Sequence, residues 1–267
     1  GFGLGIAGAA MATVISQVVV FIVFIFMLFF KNHSYISFNL SDFTFSTDII
    51  WDIIKVGLPA SLSMIVMAVG QGVFNKILVH ISVNTVAAYQ VAGRLDMLVF
   101  LPIFSIAASL TTLVGMFYGA KEYGALRYII KYGIFSALLI TIISSTIVYT
   151  FAGHVVRFFT DDASIVIIAV NFLQIFAFAY PFISVGITTG RVLQGLGKGL
   201  PVLIITIVRV LGVSAPLALF FVFIMDKTVE WVWYSMMLST IVAFGIGLTW
   251  LISTLKTLPT SGQSLNN

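Results

Sequence analysis

The sequence predicts an all-α fold, a polytopic transmembrane helix bundle of about seven spans. Three observations carry this reading. Of the 267 residues, 60% are hydrophobic and only 8% are charged, whereas a soluble domain carries roughly 25% charge. Mean hydropathy is +1.15. Apolar runs of spanning length follow one another along the chain, and none shows the alternating segments of about ten residues that build a transmembrane barrel.

The spans read, in order, as 4–30, 56–81, 86–118, 128–151, 163–192, 200–224 and 229–255, because a helix crossing the hydrocarbon needs about 20 apolar residues. The first run is too long for a signal-peptide core and has no charged leader. Residues 31–52 form the longest polar interruption and read as a linker. At its end Ser46, Thr47 and Asp48 precede an Ile-Ile-Trp segment. Those capping residues, with Trp51 at the interface, predict a short helix lying along the membrane surface. The expected division is therefore a first span in 1–31, a linker in 32–55, a six-helix unit in 56–256 and a tail in 257–267.

Assigning the loops alternately to two sides separates the cations. One side collects Lys31, Lys55, Lys121, Arg127, Lys131, Arg191, Lys198 and Lys256, and the other only Arg157 and Lys227. The positive-inside rule then places the linker and the C-terminus in the cytoplasm of a cell-membrane protein, and Gly1 outside. An odd number of spans starting outside, without an initiator methionine, is expected of the second part of a longer protein. A complete seven-span protein with an external N-terminus is the alternative.

Several function classes drop out. The net charge of +4 does not point to nucleic acid, because the cations are scattered singly rather than clustered. The absence of cysteine removes thiolate metal sites and thiol nucleophiles. His33, His80 and His154 are too widely separated for metal-ligand spacing. No metal and no resident cofactor is expected. The run from Gly195 to Gly199 departs from a phosphate loop, since Val192 stands at the first glycine and no hydroxyl follows Lys198; it reads as a cytoplasmic turn. An intramembrane enzyme would need paired carboxylates, a Ser/His pair or a metal cluster at depth, and Asp96 is the only acid in a span.

Ionisable residues inside a bilayer are costly and mark functional sites by default. Arg94 and Asp96 lie about 12 and 15 Å along the helix from Val86, near mid-membrane, and two positions apart they face different ways. Asp96 must find its partner on another helix. Either it makes a packing ion pair with Arg209 or Lys76, or it lines a cavity and binds a cationic substrate or a proton. Arg209 has no acid in its own helix; Lys76 is near enough to an end to snorkel. Gln71, Asn75, Gln90, Asn171 and Gln174 either line a pore or join helices by hydrogen bonds. Pro102 and Pro181 fall inside spans and are hinge candidates. Most of the 25 phenylalanines are expected to face lipid.

Four stretches resemble the multidrug and toxic compound extrusion (MATE) family of secondary transporters. They are GLGIAGAAMATVISQ at the start, KVGLPASLSM from Lys55, the long segment from Ala87 to Arg127, and the ordered set VRFFTDDASIV, RVLQGLGKGLP, Arg209 and Pro216-Leu217-Ala218. The resemblance implies twelve helices in two six-helix lobes, of which this chain supplies the last helix of the first lobe, the linker and the second lobe. It implies no cofactor, but a coupling ion, proton or sodium, exchanged for amphipathic and often cationic compounds. The partners it implies are that small-molecule substrate, membrane lipid and an N-terminal lobe. Where NorM-like members carry acids in the second lobe, this sequence has Met67 and Ile183. That departure resembles the DinF-like branch, whose coupling aspartate lies in the first lobe. A flippase for lipid-linked saccharides on a related helix plan is the competing function, and Lys76, Arg94 and Arg209 are the cations it would use.

Overall fold

The computed structural model describes residues 5–30 and 45–259 of the chain. The linker portion 31–44, with His33 and Lys31, and the tail from 260 lie outside the described residues. Seven helices are long and apolar enough to cross a membrane among the described residues: α1 (Gly5–Phe30), α2 (Thr47–Ile81), α3 (Val83–Gly119), α4 (Tyr123–Arg157), α5 (Ala163–Gly195), α6 (Leu200–Ile224) and α7 (Glu230–Lys256). The described residues are helical apart from short turns. The chain divides into two compact units, one ending at Thr47 and holding α1, the other running from Asp48 and holding the remaining helices.

Helix ends extend beyond the apolar runs because their polar turns reach past the hydrocarbon. The largest difference from expectation is at α2. The segment carrying Trp51 is not a separate surface helix; it is the start of α2, which runs unbroken through Pro59 to Ile81. A boundary at 55/56 therefore falls within one helix. The reason is local. A proline removes one internal hydrogen bond, and the surrounding sequence supplies no other break.

Short signals set the remaining ends. Ser82 caps α3, its hydroxyl accepting from the Thr85 amide at 3.1 Å. Asp162 caps α5 by accepting from the Ser164 and Ile165 amides. The α5–α6 turn closes through Gly197 at φ +76°, a left-handed conformation that glycine adopts without Cβ strain. There the Lys198 amide donates to the Leu193 carbonyl at 2.8 Å, the pattern that ends helices at a glycine.

Within the second unit, α5 is the central helix and packs on α3, α4 and α7. Two apolar clusters fill the bundle. The larger gathers Ile77, Leu78, Ile103, Phe172, Tyr180 and Trp233; the smaller gathers Leu110, Val114, Leu126, Leu193 and Leu251. Each fully buried side chain of this kind contributes about 1.5–3 kcal/mol relative to water, though in lipid close packing replaces that driving force.

Helix α6 departs from regular geometry. Val208–Ser214 and Phe220–Ile224 are π-helical, and the Ala215 amide donates five residues back to the Val210 carbonyl. Pro216 has no amide hydrogen to give to Gly212, four residues earlier. Widening the turn lets neighbouring donors reach back one residue further, and such π-turns concentrate at functional sites.

Candidate functional site

The π-turn of α6 faces a cavity of about 160 Å³ inside the second unit. Each wall comes from a different helix. From α2 come Met67, Gly70, Gln71 and Phe74; from α3, Tyr89 and Asp96; from α5, Phe172, Phe176 and Ile183. Helix α6 supplies Arg209, Val210 and Ser214, and α7 supplies Met236, Ser239 and Thr240. Five residues of ordinary α-helix turn about 500°, which would set Arg209 and Ser214 about 140° apart. The i to i+5 bonding of the π-turn brings them to one face. Gly70 allows α2 to approach α6, since a Cβ there would overlap the Val210 side chain.

A second cavity of about 320 Å³ adjoins on α2 and α3, lined by Gln71, Tyr89, Gln90, Gly93, Arg94, Asp96 and Met97. Gln71, Tyr89 and Asp96 thus belong to the walls of both. The Tyr89 hydroxyl donates toward the Gln71 carbonyl oxygen at 3.5 Å, the outer limit of such a bond.

Asp96 accepts a hydrogen bond from the Tyr180 hydroxyl of α5. It makes no ion pair within 4.0 Å; among the described residues Lys55–Asp52 is the only such pair. The packing ion pair with Arg209 or Lys76 is therefore not present. A phenol satisfies a carboxylate without burying a second charge, whose desolvation costs several kcal/mol, on the order of the attraction gained. Arg209 shares the cavity with Asp96, and Lys76 is exposed on α2.

The aromatic wall is ordered. Tyr89 stacks on Trp233 with ring centroids 5.8 Å apart, Phe172 meets Trp233 edge-on at 4.8 Å, and Phe172 stacks on Phe176 at 4.2 Å. Phe100 meets Tyr180 edge-on at 5.3 Å. Phenylalanines are thus not confined to the lipid face: Phe74, Phe172 and Phe176 line the cavity. Rings in this arrangement present apolar faces and a negative π-surface, which suits aromatic and cationic groups.

The structure places Asp96, Arg94, Arg209, Gln71 and Gln90 on the walls of these two cavities and leaves three candidates out. Asn171 donates to Glu230 of α7 at 3.2 Å and so joins two helices. Gln174 lies about 200° around α5 from Phe172 and is not among the lining residues. Asn75 is half-buried, and its carbonyl oxygen has no hydrogen-bond partner among the described residues. Pro102 is exposed on α3. Pro181 directly follows Tyr180, and the Ala177 carbonyl it leaves without a helical donor accepts from Ser145 of α4. Among the described residues no cluster of metal-ligating groups occurs.

A bundle of membrane-spanning helices enclosing a charged, aromatic-walled cavity is the class of protein this geometry defines. The MatE family model matches residues 59–220, and the chain belongs to that family, the multidrug and toxic compound extrusion transporters. It is 26% identical over 215 residues to the "Probable multidrug resistance protein NorM" of Thermotoga maritima, an alignment covering 80% of this chain and 46% of that protein. It is 30% identical over 199 residues to the multidrug export protein MepA of Staphylococcus aureus, covering 74% and 44%. The chain thus aligns with less than half the length of these curated relatives. Among solved structures, it is similar to MATE in the straight conformation, with TM-score 0.89 and 31% identity over 96% of this chain and 57% of that one. A multidrug resistance MATE transporter in the outward-facing conformation gives TM-score 0.88 and 30% identity, over 97% and 59%.

Proposed function

We propose that the chain contributes one lobe of a cation-coupled antiporter that exports amphipathic, often cationic compounds across the cell membrane. The observation that carries the reading is Asp96, a carboxylate inside a spanning helix, held by Tyr180 and facing cavities walled by aromatic rings. Such a group attracts a cation and takes up a proton, and coupling needs both in competition. The first cavity alone is smaller than the 300–1,000 Å³ or so that drug-sized ligands occupy. The substrate on this reading extends toward Gln90 and Arg94 or toward a second lobe. Alternating access by rocking of two lobes places sites near the midplane, which agrees with that extension.

A DinF-like coupling, with a further carboxylate outside this lobe, is supported by Met67 and Ile183. Both line the cavity, so the positions that are acidic in NorM-like members face the site and are apolar here. The coupling ion is proton or sodium. Apolar side chains such as Phe135, Ile143 and Phe178 are exposed on the outer faces of the bundle, as contact with membrane lipid requires. The flippase alternative draws less support, because Lys76 is not among the lining residues and Asp96 opposes the cations that are.

The test is Asp96→Asn in the full-length protein. Export of a cationic dye should fall to background while the protein still reaches the membrane and stays monodisperse in detergent. Undiminished export would refute the reading.

A further inference from the structure

Arg209 is a guanidinium placed in the middle of a spanning segment, yet among the described residues it has no ion pair within 4.0 Å. Among the described residues its side chain makes no hydrogen bond either. A cation with five donors in such a place ordinarily pairs with a carboxylate or with backbone carbonyls. Asp96 is not that partner in this structure: it makes no ion pair within 4.0 Å, and its Oδ1 accepts from Tyr180. The side chain instead joins the wall of the cavity.

Its surroundings are those of an anion subsite. Ser214, Ser239 and Thr240 line the same cavity. Ser239 and Thr240 donate their hydroxyl hydrogens to the Met236 carbonyl, at 2.7 and 3.0 Å, so a ligand there meets the guanidinium as its principal donor. Arg209 and Ser214 share one face only because the segment is π-helical. Tyr89 lines the same cavity as both Asp96 and Arg209.

Resting on the transport site proposed above, we propose that Arg209 binds a carboxylate or similar anionic group of the substrate while Asp96 takes its cationic group. The lobe would then select zwitterionic aromatic compounds over plain cations. A planar guanidinium holds a carboxylate through two parallel bonds, and a site built for that group discriminates against a neutral replacement by leaving its donors unpaired.

The test compares an aromatic amine that bears a free carboxylate with its methyl ester, using calorimetric binding to the purified full-length protein. The wild type should bind the acid about tenfold or more tightly than the ester. Arg209→Gln should weaken the acid to the level of the ester and leave the ester unchanged. Arg209→Lys should restore part of the preference. Equal binding of the two compounds by the wild type, or binding of neither, overturns the proposal without needing any variant to fold, as does an Arg209→Gln protein that loses both compounds equally. Asp96→Asn separates this idea from the one beneath it: if that change leaves both compounds bound as before, the transport-site reading has failed; if it weakens both while acid and ester stay equivalent, only the Arg209 proposal has.

Discussion

Asp162 shows how one exposed side chain sets a boundary. Its carboxylate accepts from the Ser164 amide at 2.8 Å, the Ser164 hydroxyl at 2.7 Å and the Ile165 amide at 3.4 Å, and Asn84 at the start of α3 donates to that same hydroxyl at 2.8 Å. These donors hold the Asp162 carboxyl below its ordinary range. Because folding lowers the value, the contribution to stability is complete above the ordinary pKa of about 4 and is lost as pH falls through the folded one. Asp162→Ala should therefore lower the melting temperature in detergent at pH 7, with the difference shrinking below about pH 4; equal melting at pH 7 would contradict the capping role. At the same scale, Asp96 was legible in the sequence because it is the lone acid in a span. Its partner Tyr180 was not, since a tyrosine in an apolar run looks like any core aromatic until the packing of α3 on α5 is known. Tyr89 was missed for the same reason, and Phe172 with Phe176 because lipid and cavity faces are both apolar.

Helix α5 is where a break and its repair are both visible. Pro181 leaves the Ala177 carbonyl without its helical donor, and the Ser145 hydroxyl of α4 replaces it. The same turn carries Tyr180 toward Asp96. Ser145→Ala should destabilise the protein by about 1–3 kcal/mol, the cost of an unsatisfied buried carbonyl. Adding Pro181→Ala to that variant should recover most of the loss, because residue 181 regains an amide hydrogen; thermal unfolding of the single and double variants decides it, and no recovery would contradict the account. Spans were readable from apolar length alone, and six of the seven needed at most their ends moved. The exception, α2, was split in the reading because capping residues and an interfacial tryptophan look the same at the start of a surface helix and at the start of a long span. The π-turns of α6 left only a faint trace, the pairing of Gly212 with Pro216 at i and i+4. That trace predicts a lost hydrogen bond but not how the helix closes over it.

Within the second unit, five helices (α2, α3, α5, α6 and α7) contribute to the wall of one cavity. On the reading that the linker and C-terminus are cytoplasmic, Asp161→Cys should react with an impermeant thiol reagent added outside cells, and Glu122→Cys should not. The reverse pattern would invert the topology. On the proposal that this chain is one lobe of two, expression of residues 1–267 alone should give no drug export, since rocking access requires two lobes; export by that chain without self-association would contradict it. The central claim, that substrate occupies the cavity between α2, α3, α5, α6 and α7, is tested most directly by protection. Met67 and Ile183 line it from different helices, and the chain has no cysteine of its own. In the full-length protein, Met67→Cys and Ile183→Cys should both be modified by a small thiol reagent, and saturating substrate should slow both reactions about tenfold or more, a factor that corresponds to occupancy of at least about 90% of sites. Modification rates unchanged by substrate at both positions would show that it binds elsewhere.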